Sequence, residues 1–589
     1  MRQFFKFMLA SMAGFILTML IMFFLLFMFI ASIVSLAGKQ EVVLKPKSVL
    51  HLTFNQDVPE RSPSAPFEFG GSNMFKTTNV PGLLETLDLL KKASEDDAIS
   101  GIYLDMSDVP SGIATAEELR NGLLEFKKSG KFIYAYGEVY SQKAYYLASV
   151  ADQICINPEG SIDFKGLTGQ VLFIKGLLTK LDINAQIIRH GKYKSAIEPL
   201  ISDKMSEANK EQTMTYIGAI WNHMLNQISL VRNIPTGKLS QVADSLSLET
   251  AQDAVSYGFA DQVTYKDQFL ALLRSKIGIG ENDKIELISL NKYKETKPLK
   301  AEKRSKNKIA IIYAVGDIVS GEGTEDNIGS ERISKAIRKA RLDDDVKAIV
   351  FRINSGGGSA LASDVIWREI VLAKEKKPVV ASMGDYAASG GYYIACAADS
   401  IIANPTTLTG SIGVFGIIPD FQKFFNNKLG ITFDQVKTNQ NSDYISVTRP
   451  MTPYESKVMT NSVEKIYGTF VGHVAQGRSM TNANVDSIGQ GRVWSGIDGL
   501  RIQLVDGTGG INKAVKIAAS MAKLDDYRII SLPKQKDPFT QLMEDISGSS
   551  DETLLKEKFG VFYPYYKEIQ SFYNMQGVQA RLPFSITID

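Results

Sequence analysis

The chain repeats itself, and no other property of the sequence constrains its fold as much. Shifted by 247 residues, GEVYSQKAYYLASVADQICINP at 137–158 falls on GDYAASGGYYIACAADSIIANP at 384–405, with nine of 22 positions identical and no gap. Chance would give about one or two. A shift one residue longer pairs KLDINAQIIRHGKYKS, from Lys180, with KLGITFDQVKTNQNSD, from Lys428. The body of the chain is therefore two copies of one unit.

Within each copy short apolar runs alternate with helical patterns. In the second they are VKAIVFRIN, LASDVIWREIVLAKE, KPVVASMG, a helix from about Ala388, and DSIIANP. Strands rich in Val and Ile, separated by helices, indicate βαβ units around a parallel sheet buried on both faces, so each copy is an α/β domain. Ahead of them, Phe7 to Gly38 carries no charged residue, and about 20 such residues span a bilayer as a helix. Arg2 and Lys6 give the basic start of a signal peptide and Ser35-Leu36-Ala37 resembles a cleavage site. An ordinary signal-peptide core is only about 7 to 15 residues, however, so the segment is read as an uncleaved anchor. Lys39, Lys45 and Lys47 behind it nearly cancel the charge bias that would set its orientation.

The expected partition is a cytoplasmic N-terminus at 1–7, a transmembrane anchor at 8–37, a first α/β repeat at 38–291, a basic linker at 292–308, a second repeat at 309–526 and a tail at 527–589. The linker, KYKETKPLKAEKRSKNK, holds eight Lys or Arg and reads as solvated chain. Lys and Arg number 66 against 64 Asp and Glu, a balance that argues against a nucleic-acid partner held by a broad basic field. Two cysteines, Cys155 and Cys396, cannot build a disulfide framework, and no Cys/His spacing suits zinc.

Reactive groups in such sheets collect at the carboxyl ends of strands. Two loops of the second copy fall there: NSGGGS, 354–359, after AIVFRI, and GDYAASGG, 384–391, after PVVAS. NSGGGS lacks the spacing of a phosphate loop. Glycines can bring backbone N–H groups close to a carbonyl oxygen, and Ser389 stands at a helix start with room around it, as a nucleophile facing an oxyanion hole would. The plainer readings are a structural turn and a helix N-cap. The first copy has Gln142 opposite Ser389 and Pro110 and Ser111 opposite Gly357 and Gly358, so it lacks the nucleophile.

A serine nucleophile needs a base. The chain has only His51, His190, His223 and His473. His190 is a minor candidate, and nearby, in RHGKYKSAIEP, lie Lys192 and Lys194. At a free pKa near 10.4 only about one lysine in 2,500 is neutral at pH 7, so a lysine base must be buried away from carboxylates. The competing reading of Lys194 is a surface lysine paired with Glu198.

GDYAASGGYYIACAADSIIANPTTLTGSIGVFG, with RHGKYKSAIEP, NSGGGSALAS and QGRVWSG, resembles the signal peptide peptidase A (protease IV) family in its long tandem-domain bacterial form. The resemblance implies a duplicated Clp protease/crotonase-like fold and a Ser–Lys peptidase needing no cofactor or metal. It makes Ser389 the nucleophile and Lys194 the general base, with Gly357 and Gly390 as oxyanion-hole donors and Ser411 orienting the lysine. It further implies a periplasmic catalytic region held at the bacterial inner membrane by one helix, a homotetramer, and cleaved signal peptides and other hydrophobic peptides as substrates. One departure stands out: the family commonly has SPGGS, and here Gly356 takes the proline position. A crotonase-type acyl-CoA enzyme and a catalytically inactive membrane scaffold are the alternatives from other classes.

Overall fold

A computed structural model of the chain describes residues 2–36, 42–63, 80–299, 305–535, 560, 563 and 578–582. An N-terminal helix, Arg2–Leu36, contains the stretch Gln3–Leu25, long and apolar enough to cross a membrane and buried against nothing else in the molecule.

The first unit is a six-stranded sheet of β1 (Ser48–Leu52), β2 (Ile99–Asp105), β3 (Phe132–Tyr140), β4 (Gln153–Ile162), β6 (Gln262–Val263) and β7 (Leu287–Ser289). Its order is β6-β4-β3-β2-β1-β7 and every pairing is parallel. The intervening β5 (Asn184–Arg189) leaves this sheet. The second unit contains β8 (Lys308–Val315), β11 (Val346–Ser355), β13 (Val379–Ala388), β14 (Ser400–Ala403), β18 (Gly507–Thr508) and β19 (Arg528–Leu532). These pair in the order β18-β14-β13-β11-β8-β19, the first unit's topology strand for strand. The second sheet is widened by β15 (Leu408–Gly410) and β17 (Val493–Ser495) beyond β13.

Strand β8, KIAIIYAV, shows why these runs are strands. Ile309, Ile311 and Tyr313 point to one face and join a core that includes Leu50 and Ile102 of the first unit and Ile511 and Val515 of the helix Ile511–Met521. Ala310, Ile312 and Ala314 point to the other, under the helices Ser330–Leu342 and Ala360–Lys374. A parallel strand buried on both faces has to be apolar throughout, and the period of two divides its side chains between two cores. The first of those cores is common to both units, so they form one packed body.

A buried ion cluster fixes their register. Arg352 of β11 is fully buried and donates from Nε to Glu60 Oε2 (2.7 Å) and from Nη2 to Glu118 Oε1 (2.8 Å), both carboxylates lying in the first unit. Glu118 also accepts from Asn404 Nδ2 and from the Ile511 N–H, each at 2.8 Å. Asp385 caps the first unit's helix Ile113–Lys127 by accepting from the N–H groups of Ala114 and Thr115.

A third, smaller sheet is shared between the units. It runs β10 (Asn327–Gly329), β9 (Asp317–Val319), β12 (Gly357–Ser359), β20 (Val578–Arg581), β16 (Phe415–Asp420) and finally β5. Strand β5 thus pairs with the second unit, antiparallel from Arg189↔Phe415 to Asn184↔Asp420.

Three segments differ from the sequence reading. The basic run from 292 begins inside the first unit, because Tyr293 is fully buried and donates to Asp96 Oδ2 at 3.0 Å; residues 300–304 of that run lie outside the described residues. Strand β19, past the expected boundary at 526, is the second unit's counterpart of β7. Residues 578–581 of the expected tail form a strand inside the third sheet. Cys155 and Cys396 are buried and unbridged.

Candidate active site

Strand β13 ends at Ala388, and the chain turns through Ser389 into the helix Gly390–Ala395. Ser389 holds φ +55° and ψ −115°, a left-handed conformation that costs a non-glycine residue about 1–2 kcal/mol. Its N–H is held by the Gly410 carbonyl at 2.8 Å. The side chain makes no capping bond to the helix it precedes. The hydroxyl is thereby turned away from the N-cap role and toward the first unit.

Lys194 arrives from β5. The chain crosses Gln490, whose carbonyl accepts from the Tyr193 N–H at 2.8 Å. It then lays the Lys194 backbone on Gly491, where a Cβ would stand 2.6 Å from Lys194 N and Cβ. QGRVWSG has glycine at this position because a side chain would occupy the lysine's place. Lys194 Nζ lies 2.7 Å from Ser389 Oγ, 3.0 Å from Ser411 Oγ and 3.2 Å from the Ser411 carbonyl. Lys194, Ser389 and Ser411 are all fully buried. Burial holds the Lys194 amine well below the ordinary lysine range, and no carboxylate opposes that shift.

The surface pairing with Glu198 is not formed. Glu198 accepts instead from Ser206 Oγ (2.6 Å) and Asn209 Nδ2 (3.0 Å). Lys192 is exposed, its ammonium 5.1 Å from the Tyr193 ring centroid. His190 is bonded to Glu464 at 2.8 Å and stacked on Tyr467. His51, His223 and His473 are likewise engaged with Asp105, Glu117 and Asp364.

The two glycines adjoin. Gly357 has φ +106°, and a Cβ there would stand 2.7 Å from Gly390 N and 2.1 Å from the Ala580 carbonyl oxygen. Its own N–H donates to Ser355 Oγ at 3.1 Å. Strand β20 runs antiparallel along Gly357–Ser359, with Gly358 opposite Ala580, and the Leu582 N–H reaches the Gly356 carbonyl at 2.6 Å. Gly356 faces Leu582, whose Cδ1 would be 3.3 Å from an added Cβ. Asn354 ties the two loops of the second unit together by accepting from the Tyr386 N–H (3.1 Å), and ties them to the first unit by donating to Glu60 Oε1 (3.1 Å). Sequence reading did not single out Asn354, Glu60 or Asp385, because their partners lie some 30 to nearly 300 residues away.

The first unit's counterpart of this pocket is filled. Gln142 donates to the Gly166 carbonyl (3.1 Å) and accepts from the Gly166 N–H (3.0 Å). At the repeat offset Phe164 matches Ser411, and it packs on Tyr145, Trp221 and Phe259. Among the described residues no group of three or more His, Cys, Asp and Glu could hold a metal ion.

Peptidase family S49 matches residues 125–280 and 372–525, two regions whose starts are separated by the repeat offset. The chain is 37% identical to Protease 4 of Salmonella typhi over 79% of this chain and 76% of that one. Protease 4 of Haemophilus influenzae is 34% identical over 83% and 81%, and the chloroplastic serine protease SPPA of Arabidopsis thaliana 33% over 83% and 72%. Among solved structures, a ClpP1 variant from Listeria monocytogenes aligns with 35% of the chain at 15% identity and a TM-score of 0.24. With two S49 regions on two copies of one α/β unit, and with relatives matched along most of their length, the chain belongs to Peptidase family S49 as a serine protease of the Protease 4 type.

Proposed function

We propose that the chain is a membrane-anchored Ser–Lys endopeptidase of hydrophobic peptides, cleaved signal peptides foremost. The observation that carries the reading is the 2.7 Å contact between Lys194 Nζ and Ser389 Oγ, with both groups fully buried and no carboxylate to keep the amine protonated. Neutral Lys194 takes the Ser389 proton as Oγ bonds to the peptide carbonyl carbon. The oxyanion is met by the N–H groups of Gly357 and Gly390, the former leaving Ser355 Oγ to do so. Collapse breaks the C–N bond, and Lys194 gives its proton to the departing amine. Water, deprotonated by Lys194, then bonds to the acyl carbon, the C–Oγ bond breaks, and Lys194 returns the proton to Ser389 Oγ. Ser411, bonded to Nζ through two oxygens, fixes the direction of the lysine.

An extended peptide suits the slot between β12 and β16 that β20 fills in this structure, and the reading has substrate take the place of β20 there. The helix Arg2–Leu36 supports a single-pass anchor; the membrane proposed for it is the bacterial inner membrane, with both units on the periplasmic side. The assembly proposed is a homotetramer.

The test is hydrolysis of an apolar fluorogenic peptide by the purified full chain, beside Ser389→Ala and Lys194→Ala. Both variants are expected to stay folded and lose activity, and the acid limb of kcat/KM to inflect well below the free-lysine pKa. Activity retained by either variant would remove the dyad.

A further inference from the structure

The segment that presents Lys194 to Ser389 is short, and its backbone meets the second unit through the His190 N–H on the Val414 carbonyl (3.1 Å) and the Tyr193 N–H on the Gln490 carbonyl (2.8 Å), both on the N-terminal side of the lysine. Lys194 precedes a single 3₁₀ turn, Ser195–Ile197. From the Lys194 Cα to Nζ is about 6 Å, so a tilt of roughly 10° in the backbone moves the amine by about 1 Å, a misplacement that can lower a rate about 100-fold. Something outside the segment must therefore fix its tilt.

One side chain does this from both ends. Gln212, on the helix Glu207–Arg232, is 1% exposed. Its Nε2 donates to the Tyr193 carbonyl at 3.0 Å and to Ser195 Oγ at 2.9 Å, the residues immediately before and after Lys194. Asn209 Oδ1, at 3.2 Å, shares one of the same two amide hydrogens. Its Oε1 accepts from the Val493 N–H of β17 at 3.1 Å. A single amide thus joins both flanks of the lysine to a strand of the other unit, two residues beyond the glycine on which Lys194 rests.

We infer that Gln212 is a positioning residue for the peptidase reaction, holding the Tyr193–Ser195 arch so that the Lys194 amine meets Ser389. The inference rests on the Ser–Lys reading above. Gln212 touches neither the serine nor the glycine pair, and acts through Lys194. A buried glutamine that only helped packing would have no reason to bond both neighbours of one lysine and the opposite unit together. Charged groups around the arch are Lys192, Glu198, Glu211 and Arg492, with buried Glu198 accepting from Asn209 Nδ2 at 3.0 Å and Arg492 bonded to Glu211 at 2.9 Å, together with the His190–Glu464 pair. None of them bonds to Lys194, so a change in the rate's pH dependence on altering Gln212 reports the seating of the lysine itself.

The experiment compares Gln212→Met, similar in volume and lacking both donors and acceptor, with Gln212→Glu, which keeps the acceptor for Val493 and loses the donors when ionised. Thr213→Ala, on the same helix and unbonded to the arch, is the packing control. Hydrolysis of the apolar peptide, the pH profile of kcat, labelling of Ser389 by a fluorophosphonate and thermal melting are read on the full chain. Both Gln212 variants are expected to lower kcat about 10- to 100-fold with KM within about twofold. They should also slow fluorophosphonate labelling and raise the acid inflection toward ordinary lysine, while Thr213→Ala leaves the inflection in place. A folded Gln212→Met with wild-type kcat and inflection would overturn the inference. If neither Gln212 variant folds, Ser195→Ala, which deletes one acceptor, decides, and an unchanged kcat and inflection there overturns it equally. Lys194→Ala separates the two claims: its retained activity removes the dyad, whereas its inactivity beside an unaltered Gln212→Met removes only the role of Gln212.

Discussion

Gly491→Ala tests whether the base is placed by contact with the second unit. The added methyl carbon would lie 2.6 Å from Lys194 N and Cβ and 2.7 Å from its Cα. Carbon atoms rest at about 3.5–4.0 Å, so Lys194 has to withdraw by about 1 Å, and the three nearest atoms belong to its backbone and first carbon. Gly491 also sits at φ +79°, which adds about 1–2 kcal/mol for alanine. A withdrawal of that size takes Nζ from 2.7 Å to beyond the hydrogen-bond reach from Ser389, near about 3.2 Å. The expected result is a fall in kcat of about 100-fold, with KM within about threefold because the peptide edge at Gly357–Ser359 is untouched. The assay is steady-state hydrolysis of an apolar fluorogenic peptide, with melting curves on the same samples. Gly468→Ala, inside the helix Pro453–Arg478 with nothing within 4 Å of the added carbon, is the matched control. It should gain up to about 1 kcal/mol of stability with kcat unchanged. A folded Gly491→Ala protein with kcat within about threefold of wild type would refute the reasoning, since the lysine would then be placed by something other than this contact.

Lys194→Met should stabilise the protein at neutral and acid pH. The folded amine has a lower pKa than the unfolded one, so between the two values the unfolded chain binds more protons and stability rises with pH; melting temperatures should converge as pH nears about 10. Arg352→Met leaves Glu60 and Glu118 buried without their cation and should cost about 3–5 kcal/mol, measured by denaturant unfolding, with part recovered in the double variant carrying Glu60→Gln. Ser389→Gly should melt higher than Ser389→Ala by about 1 kcal/mol, because only glycine is at ease at φ +55°.

The repeat offset carried the fold from sequence to structure. Once 137–158 matched 384–405, both sheets followed, because parallel βαβ order is written in the alternation of apolar runs. Ser389 stood out as a position in which the copies differ, and the scarcity of histidine pointed to a lysine base, but only the family resemblance chose Lys194 over Lys192 and His190. The Glu198 pairing arose from i,i+4 spacing, which presumes a continuous helix, whereas the chain reaches Glu198 through a 3₁₀ turn and hands its carboxylate to Ser206 and Asn209. The offset of 248 set Lys194 opposite Ser442, an exposed loop residue; β5 pairs directly with β16 instead, and no sequence comparison reports pairing between copies. Strand β20 was hidden in the tail for the same reason, since a four-residue strand gains its identity from the edge it meets.

On the Ser–Lys reading proposed above, the division of the pair between the two units also sets when activity can begin. Lys194 and Ser389 are 195 residues apart, and Gly491 and Val493, against which the lysine segment is set, are later still in the chain. During synthesis the first unit emerges with an amine but no nucleophile. The serine follows before the surface that seats the amine has been made. A Ser–Lys peptidase built this way has no complete dyad on its growing chain until the Gly491 turn and β17 have been made and meet the first unit.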